Sequence, residues 1–241
     1  PEKRGRVLAF IQSCYAIGWA VSALAYLTVY SIFPEEVAWR YLFLVGILPA
    51  LAAFFIRRGT KDATELHGDQ QPAAKPSAQD KSFGNLFRDG LAKTTIAATL
   101  LGIGVQGIYY SVFIFLPTYL QEERGLSIVG TAGFTWVAIV GSFIGYVSSG
   151  FFLDWIGRRP TFLMFFVGSA LSVSLFVFTP AAKPELGIPV IFLLGFFASG
   201  QAGGTGAYLA ELFPTEIRAT GQGFAYNLGR GLAAFGPLTV G

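Results

Sequence analysis

The residues best suited to hold a charged solute lie where charge is rarest. Arg230 stands about midway along an apolar run, Ala219–Val240. A buried cation there costs roughly 3 kcal/mol or more unless it faces a cavity, an ion or a carboxylate. Its planar donors match a carboxylate, so an anionic ligand is one reading. A structural ion pair with a helix outside the chain is a second, and a misplaced span boundary a third. Asn227 lies one turn earlier on the same face, and Gln222 and Tyr226 form an i, i+4 polar pair. Gln106 and Tyr110 make a comparable pair in another apolar run, with Tyr109 adjacent but pointing elsewhere. Gln201 and Tyr208 are two turns apart in a third run, and Gln12 sits near the inner end of a fourth. Each is either a cavity-wall group for substrate or a satisfied helix–helix contact.

A second group of charges is packed into one short connector, Gly150-Phe-Phe-Leu-Asp154-Trp-Ile-Gly157-Arg158-Arg159-Pro160, between two long apolar runs. Two apolar helices joined by so tight a polar turn read as a transmembrane hairpin. Asp154 can stabilise a neighbouring helix N-terminus or pair with arginine. Arg158 and Arg159 can pair with Glu211 and Glu216 or contact lipid phosphates. This set suits a conformational latch better than catalysis. No Gly-rich phosphate loop, HExxH or GxSxG is present, so no enzyme is expected. A single cysteine, Cys14, and a single histidine, His67, leave no Cys/His zinc site and no internal disulfide. Cys14 is expected to pack within its apolar run, and His67 to be solvated. No metal or cofactor is expected. No span carries an Asp or Glu, so a proton-coupling carboxylate would lie outside this chain.

These groups need apolar helices to position them. The 241 residues are 53% hydrophobic and 13% charged, well below the roughly 25% charge of a soluble domain. Seven spans are expected: Val7–Ile32, Trp39–Ile56 with a kink at Pro49, Thr94–Tyr119, Thr131–Leu153, Thr161–Thr179, Ile188–Leu209 and Ala219–Val240. Trp39 and Tyr41 suit an interfacial anchor. Gly141 and Gly145 form a GxxxG pair that permits close backbone approach. Of the 17 Lys and Arg residues, thirteen fall on one side of this topology. Arg40, at the start of its span, Arg124 and Lys183 fall on the other, and Arg230 alone falls in the middle of a span. That asymmetry places the connector with Asp154 in the cytoplasm. It also accounts for the net charge of +3 without nucleic acid as a partner. The polar stretch Thr60–Asn85 reads as a cytoplasmic linker. The start at Pro1, and an end at Gly241 straight after an apolar run, are expected of a fragment.

The connector resembles the cytoplasmic signature of the major facilitator superfamily, G-x-x-x-D-x-x-G-R-R/K. Glu211-Leu-Phe-Pro-Thr-Glu-Ile-Arg218-Ala-Thr-Gly221 resembles that family's connector after the tenth helix. Pro1–Arg6 resembles the basic connector before the fifth, and Trp39-Arg40 with Gly46–Ala50 resembles the sixth. The resemblance implies an all-α polytopic membrane protein, here helices five to eleven. Residues 1–59 would close the N-terminal six-helix bundle, 60–93 would form the cytoplasmic linker, and 94–241 would form an incomplete C-terminal bundle. By the same resemblance, Asp154, Arg158, Arg159, Glu211 and Arg218 form a gating network. Substrate binds between the bundles, with Gln106, Tyr110, Gln201, Tyr226, Asn227 and Arg230 as candidate contacts.

The surroundings of Asn227 and Arg230 resemble the sialate/monocarboxylate:proton symporters and related organic-acid porters. This implies alternating-access transport of a small organic anion with a proton as coupling ion. The full-length protein is expected to work as a monomer, and the short loops and modest linker suit a bacterial inner membrane. A sugar, polyol or drug-like substrate is the alternative within the family. A non-transporting receptor or scaffold is the alternative outside it.

Overall fold

The computed structural model describes residues 4–59, 83–88, 90–180 and 184–235. His67, most of the expected linker and the last part of the seventh expected span lie outside them. The described residues form eight α-helices: α1 Arg4–Ile32, α2 Glu35–Val45, α3 Ile47–Gly59, α4 Leu91–Glu122, α5 Ile128–Trp155, α6 Arg158–Phe178, α7 Pro184–Leu212 and α8 Arg218–Ala233. A 3-10 turn, Phe83–Phe87, precedes α4. The chain divides into two compact units, Pro1–Ala20 with Ala78–Gly241, and Val21–Ser77, so the boundary falls inside α1.

Six stretches are long and apolar enough to cross a membrane: Gly5–Ile32, Glu36–Ile56, Leu91–Glu122, Gly130–Trp155, Arg158–Phe178 and Leu186–Leu212. They match the first six expected spans. The seventh is described only as the 16 residues of α8, about 24 Å at 1.5 Å per residue, short of a bilayer core. Its polar residues also dilute its apolar character.

The outer surface is that of a lipid-facing protein. Phe178 is 83% exposed and Phe43 76% exposed, although both sit in spans. Cys14, expected to be packed, is exposed on α1; a small apolar thiol can face lipid without cost. Inside, several hydroxyls are satisfied by their own helix. The buried hydroxyls of Thr99, Ser142, Ser169, Ser172 and Thr205 each donate to the carbonyl four residues earlier, at 2.7–2.9 Å. Each of these five hydroxyl protons is thereby satisfied without water.

In the smaller unit, α2 and α3 form one span interrupted at Gly46. The expected break was at Pro49. Proline lacks the N–H that would bond the carbonyl four residues back, and its ring crowds that carbonyl. The disturbance therefore falls near Val45, one turn upstream. Tyr41 stacks on Phe33 with ring centroids 3.9 Å apart, and the Trp39 indole N–H donates to Glu36 O.

The larger unit is built on close helix crossings. α5 and α7 are its most extensively packed pair. A Cβ placed on Gly141 would collide with Phe192 O, one on Gly145 with Phe196 O, and one on Gly195 with Ala138 O. The GxxxG pair thus meets a third glycine across the interface, and Ser142 Oγ reaches Gly195 O at 3.4 Å. Phe113, Leu116, Phe176, Ile191 and Leu194 fill the core toward the other end. Gly145→Leu is expected to lower the stability of the purified protein in detergent by about 1–3 kcal/mol or more, through overpacking. Gly133→Ala, where an added Cβ meets nothing within 4 Å, should leave stability unchanged or slightly higher. Thermal melting followed by size-exclusion chromatography checks both, and equal losses would remove the crossing as the cause.

Candidate functional site

Two polar sites emerge, one at the end of the helices that carries the signature and one within the bundle. The first depends on Gly150. A Cβ there would lie 2.7 Å from the Cβ of Ala9 and 2.9 Å from the Cα of Arg6. Only glycine lets α5 and α1 approach so closely. One turn later, Asp154 reaches the first turn of α1, where the Arg6 backbone N–H donates to its Oδ2 at 3.3 Å. The carboxylate thereby faces the positive end of a helix dipole. The Arg6 guanidinium lies 3.6 Å from the same oxygen. The G-x-x-x-D spacing is thus one helical turn from a crossing to a cap.

Gly157 then takes φ +88, a conformation that a side chain opposes. This turns the chain from α5 into α6. Arg158 opens α6 and gathers three acceptors. Its Nη1 donates to Leu153 O at 2.8 Å and sits 3.8 Å from Asp154 Oδ1. Its Nε and Nη2 donate to the two carboxylate oxygens of Glu211, at 3.2 and 2.9 Å. That is a bidentate fork, the stronger form of the pair.

Of the residues expected in this network, Asp154, Arg158 and Glu211 come together. Arg159 is exposed on the outer surface. Arg218 turns back on its own connector and donates to Phe213 O at 3.4 Å and to Thr215 Oγ1 at 3.2 Å. Arg6, expected only in the basic connector before the first span, also joins the cluster; nothing local links residues 148 positions apart.

The second site lies between α4 and α8. Gly102 and Gly229 make another close crossing, since a Cβ on Gly229 would come 2.8 Å from the Gly102 carbonyl carbon. Next to Gly229, Arg230 donates its Nε–H to the Tyr110 hydroxyl at 2.6 Å. A cavity of about 440 Å³ opens beside them, lined by Tyr110, Ile114, Asn227, Arg230, Gly231 and Ala234. Arg230 forms no ion pair with an acid among the described residues, so no internal carboxylate explains its place on α8. Asn227 lines the same wall while its amide donates to Gly223 O at 2.8 Å.

The other candidates are placed differently. Gln201 is 1% exposed, and its amide donates to Ala198 O at 3.1 Å; it lines neither described cavity. Gln106 is buried one turn below Tyr110. Gln222 donates to Gly206 O at 3.2 Å, across to α7. Tyr226, half-buried, packs against the cluster of Leu209, Phe213 and Ala225. A larger cavity of about 590 Å³ between α4, α6 and α7 is walled by residues such as Phe115, Val173 and Leu194, and no charged side chain lines it. It offers no cation to pair with an anion.

The sequence profile of the Major Facilitator Superfamily matches residues 1–237. A probable 4-methylmuconolactone transporter of Cupriavidus pinatubonensis is 34% identical over 99% of this chain and 54% of its own length. A cis,cis-muconate transport protein and the niacin transporter NiaP, both of Acinetobacter baylyi, are each 31% identical. The first match covers 99% of this chain and 57% of the relative; the second covers 98% and 58%. The chain therefore spans about half the length of the curated relatives it matches. It belongs to the Major Facilitator Superfamily, an integral membrane family of transporters rather than enzymes.

Asp154→Ala is expected to destabilise the protein by about 1 kcal/mol or more through loss of the α1 cap. Glu211→Gln, at a more exposed pair, should cost under about 1 kcal/mol. Hydrogen exchange checks the mechanism: the amides of Arg6–Ala9 should exchange faster in Asp154→Ala alone.

Proposed function

We propose that the full-length protein is a secondary active transporter that moves a small organic anion across a bacterial inner membrane by alternating access, with proton symport. The observation that carries this reading is Arg230: a cation on a membrane-helix cavity wall, bonded to a neutral phenol and to no acid among the described residues. A guanidinium so placed is matched by a substrate carboxylate. The names of the relatives support the same class. Muconate and niacin are both unsaturated carboxylates, and they are named for the two Acinetobacter baylyi proteins.

In this reading residues 1–59 belong to one helical bundle, 60–93 to the linker and 94–241 to a second bundle, and a monomer suffices. Asp154, Arg158 and Glu211, joined by Arg6, hold the signature end closed by tying α1, α5, α6 and α7 together. Opening the cytoplasmic side breaks the Asp154 contacts with α1. Arg159 and Arg218 support that surface. Gln106, Tyr226 and Asn227 remain candidate contacts around Arg230, and Gln201 would reach substrate only if α7 moved.

The test is uptake by the full-length protein in proteoliposomes, using labelled cis,cis-muconate, niacin, sialate and glucose, with and without an inward proton gradient. Gradient-driven uptake of an acid, lowered at least about 10-fold by Arg230→Gln as the loss of a charge-assisted pair, is the expected result. Glucose uptake alone, or acid uptake indifferent to the substitution, would sink the assignment.

A further inference from the structure

Arg230 has five N–H donors: one on Nε and two on each terminal nitrogen. A guanidinium can grip a carboxylate side-on, through Nε and one terminal nitrogen, or end-on, through both terminal nitrogens. Here the single Nε–H is already given to Tyr110 at 2.6 Å. The side-on grip is therefore blocked while that bond lasts, and the end-on grip stays open. The surroundings fit this choice. The Arg230 backbone is held by the adjacent Gly229–Gly102 crossing. On its other side Gly231 lines the cavity, and a Cβ there would meet nothing within 4 Å. Ile114, one turn beyond Tyr110 and 55% exposed, supplies an apolar wall for a hydrocarbon body.

We infer that Tyr110 is a positioning residue: by accepting the Nε–H of Arg230 it fixes the guanidinium so that the cavity takes a carboxylate end-on, through the two terminal nitrogens. The inference rests on the organic-anion reading and deepens it. An unanchored arginine samples many rotamers, and each must be frozen on binding. The phenol removes that cost before the ligand arrives. Tyr110 therefore sharpens the preference for an acid over its neutral amide by acting through Arg230. A contact with the ligand itself would act on both.

Niacin and nicotinamide share one ring and differ in that single group, so their ratio is the readout. Initial uptake rates of both would be measured with the full-length protein in proteoliposomes, for the parent, Tyr110→Phe, Arg230→Gln and the double variant. Melting curves verify folding. Tyr110→His, which keeps an acceptor, stands in if the phenylalanine variant does not fold, and should retain more acid selectivity than Tyr110→Gly. Tyr110→Phe should raise KM for niacin about 10-fold, the size of one charged hydrogen bond. Vmax and nicotinamide uptake should stay within about twofold. In the Arg230→Gln background the tyrosine substitution should add nothing. Independent, additive losses, an equal loss for acid and amide, or no effect of Tyr110→Phe beside a damaging Arg230→Gln would overturn the positioning role and leave the anion reading standing. No saturable uptake of niacin, cis,cis-muconate or sialate by the parent, or acid uptake indifferent to Arg230→Gln, removes the anion reading and this inference with it.

Discussion

Between helices in a bilayer, apolar side chains gain little from one another, because the lipid they leave is as apolar as leucine. Association then rests on how closely backbones can approach. Three glycine-backed crossings carry this burden in the larger unit: Gly141 and Gly145 with Gly195, Gly150 with Arg6 and Ala9, and Gly102 with Gly229. Each sets a polar group within about a turn of itself. Ser142 reaches across the first, Asp154 follows the second, and Arg230 adjoins the third. The polar chemistry is thus placed by contacts that contain no polar side chain.

The same constraint sorts the charges. At the end of the helices, water can share the work, and Asp154, Arg158, Glu211 and Arg6 form a branched cluster of one fork, two longer ion pairs and a helix cap. Asp154 has two roles at once, as an ion-pair partner and as the acceptor for the first turn of α1. That dual role links the end of one helix to the beginning of another, so a motion that parts α1 from α5 must give up both. Within the bundle, hydroxyls fold back onto their own helices, and Arg230 takes a phenol as partner. Arg230 differs from the cluster charges in this: its partner is neutral, and no acid among the described residues pairs with it.

Much of this was legible in the chain itself. Six of seven spans were read from apolar length, because a bilayer demands about twenty apolar residues whatever their neighbours. The signature's charges and its two glycines were readable because their spacing is local: Gly150 and Asp154 are one turn apart on one helix, and Gly157 must turn the chain within three residues. Arg230 stood out because charge in an apolar run is rare. Local rules erred where an effect is displaced along the helix, as at Pro49, whose break falls near Gly46.

What only the tertiary structure decided is which distant residues meet. Arg6 and Asp154 are 148 positions apart and Tyr110 and Arg230 are 120 apart; helical periodicity gives the face on which each lies but not the helix that face meets. Gln201 and Asn227 look alike in sequence, each an amide in a glycine-rich run, yet one is sealed in the bundle and the other lines a cavity. Arg218 and Arg158 look equally suited to a carboxylate, yet one bonds its own connector and the other grips Glu211. Sequence determined the membrane-crossing helices and the residues able to carry charge, because those follow from the bilayer and from spacing within a turn. Partnership followed from the crossings, whose register is set by which backbones can touch.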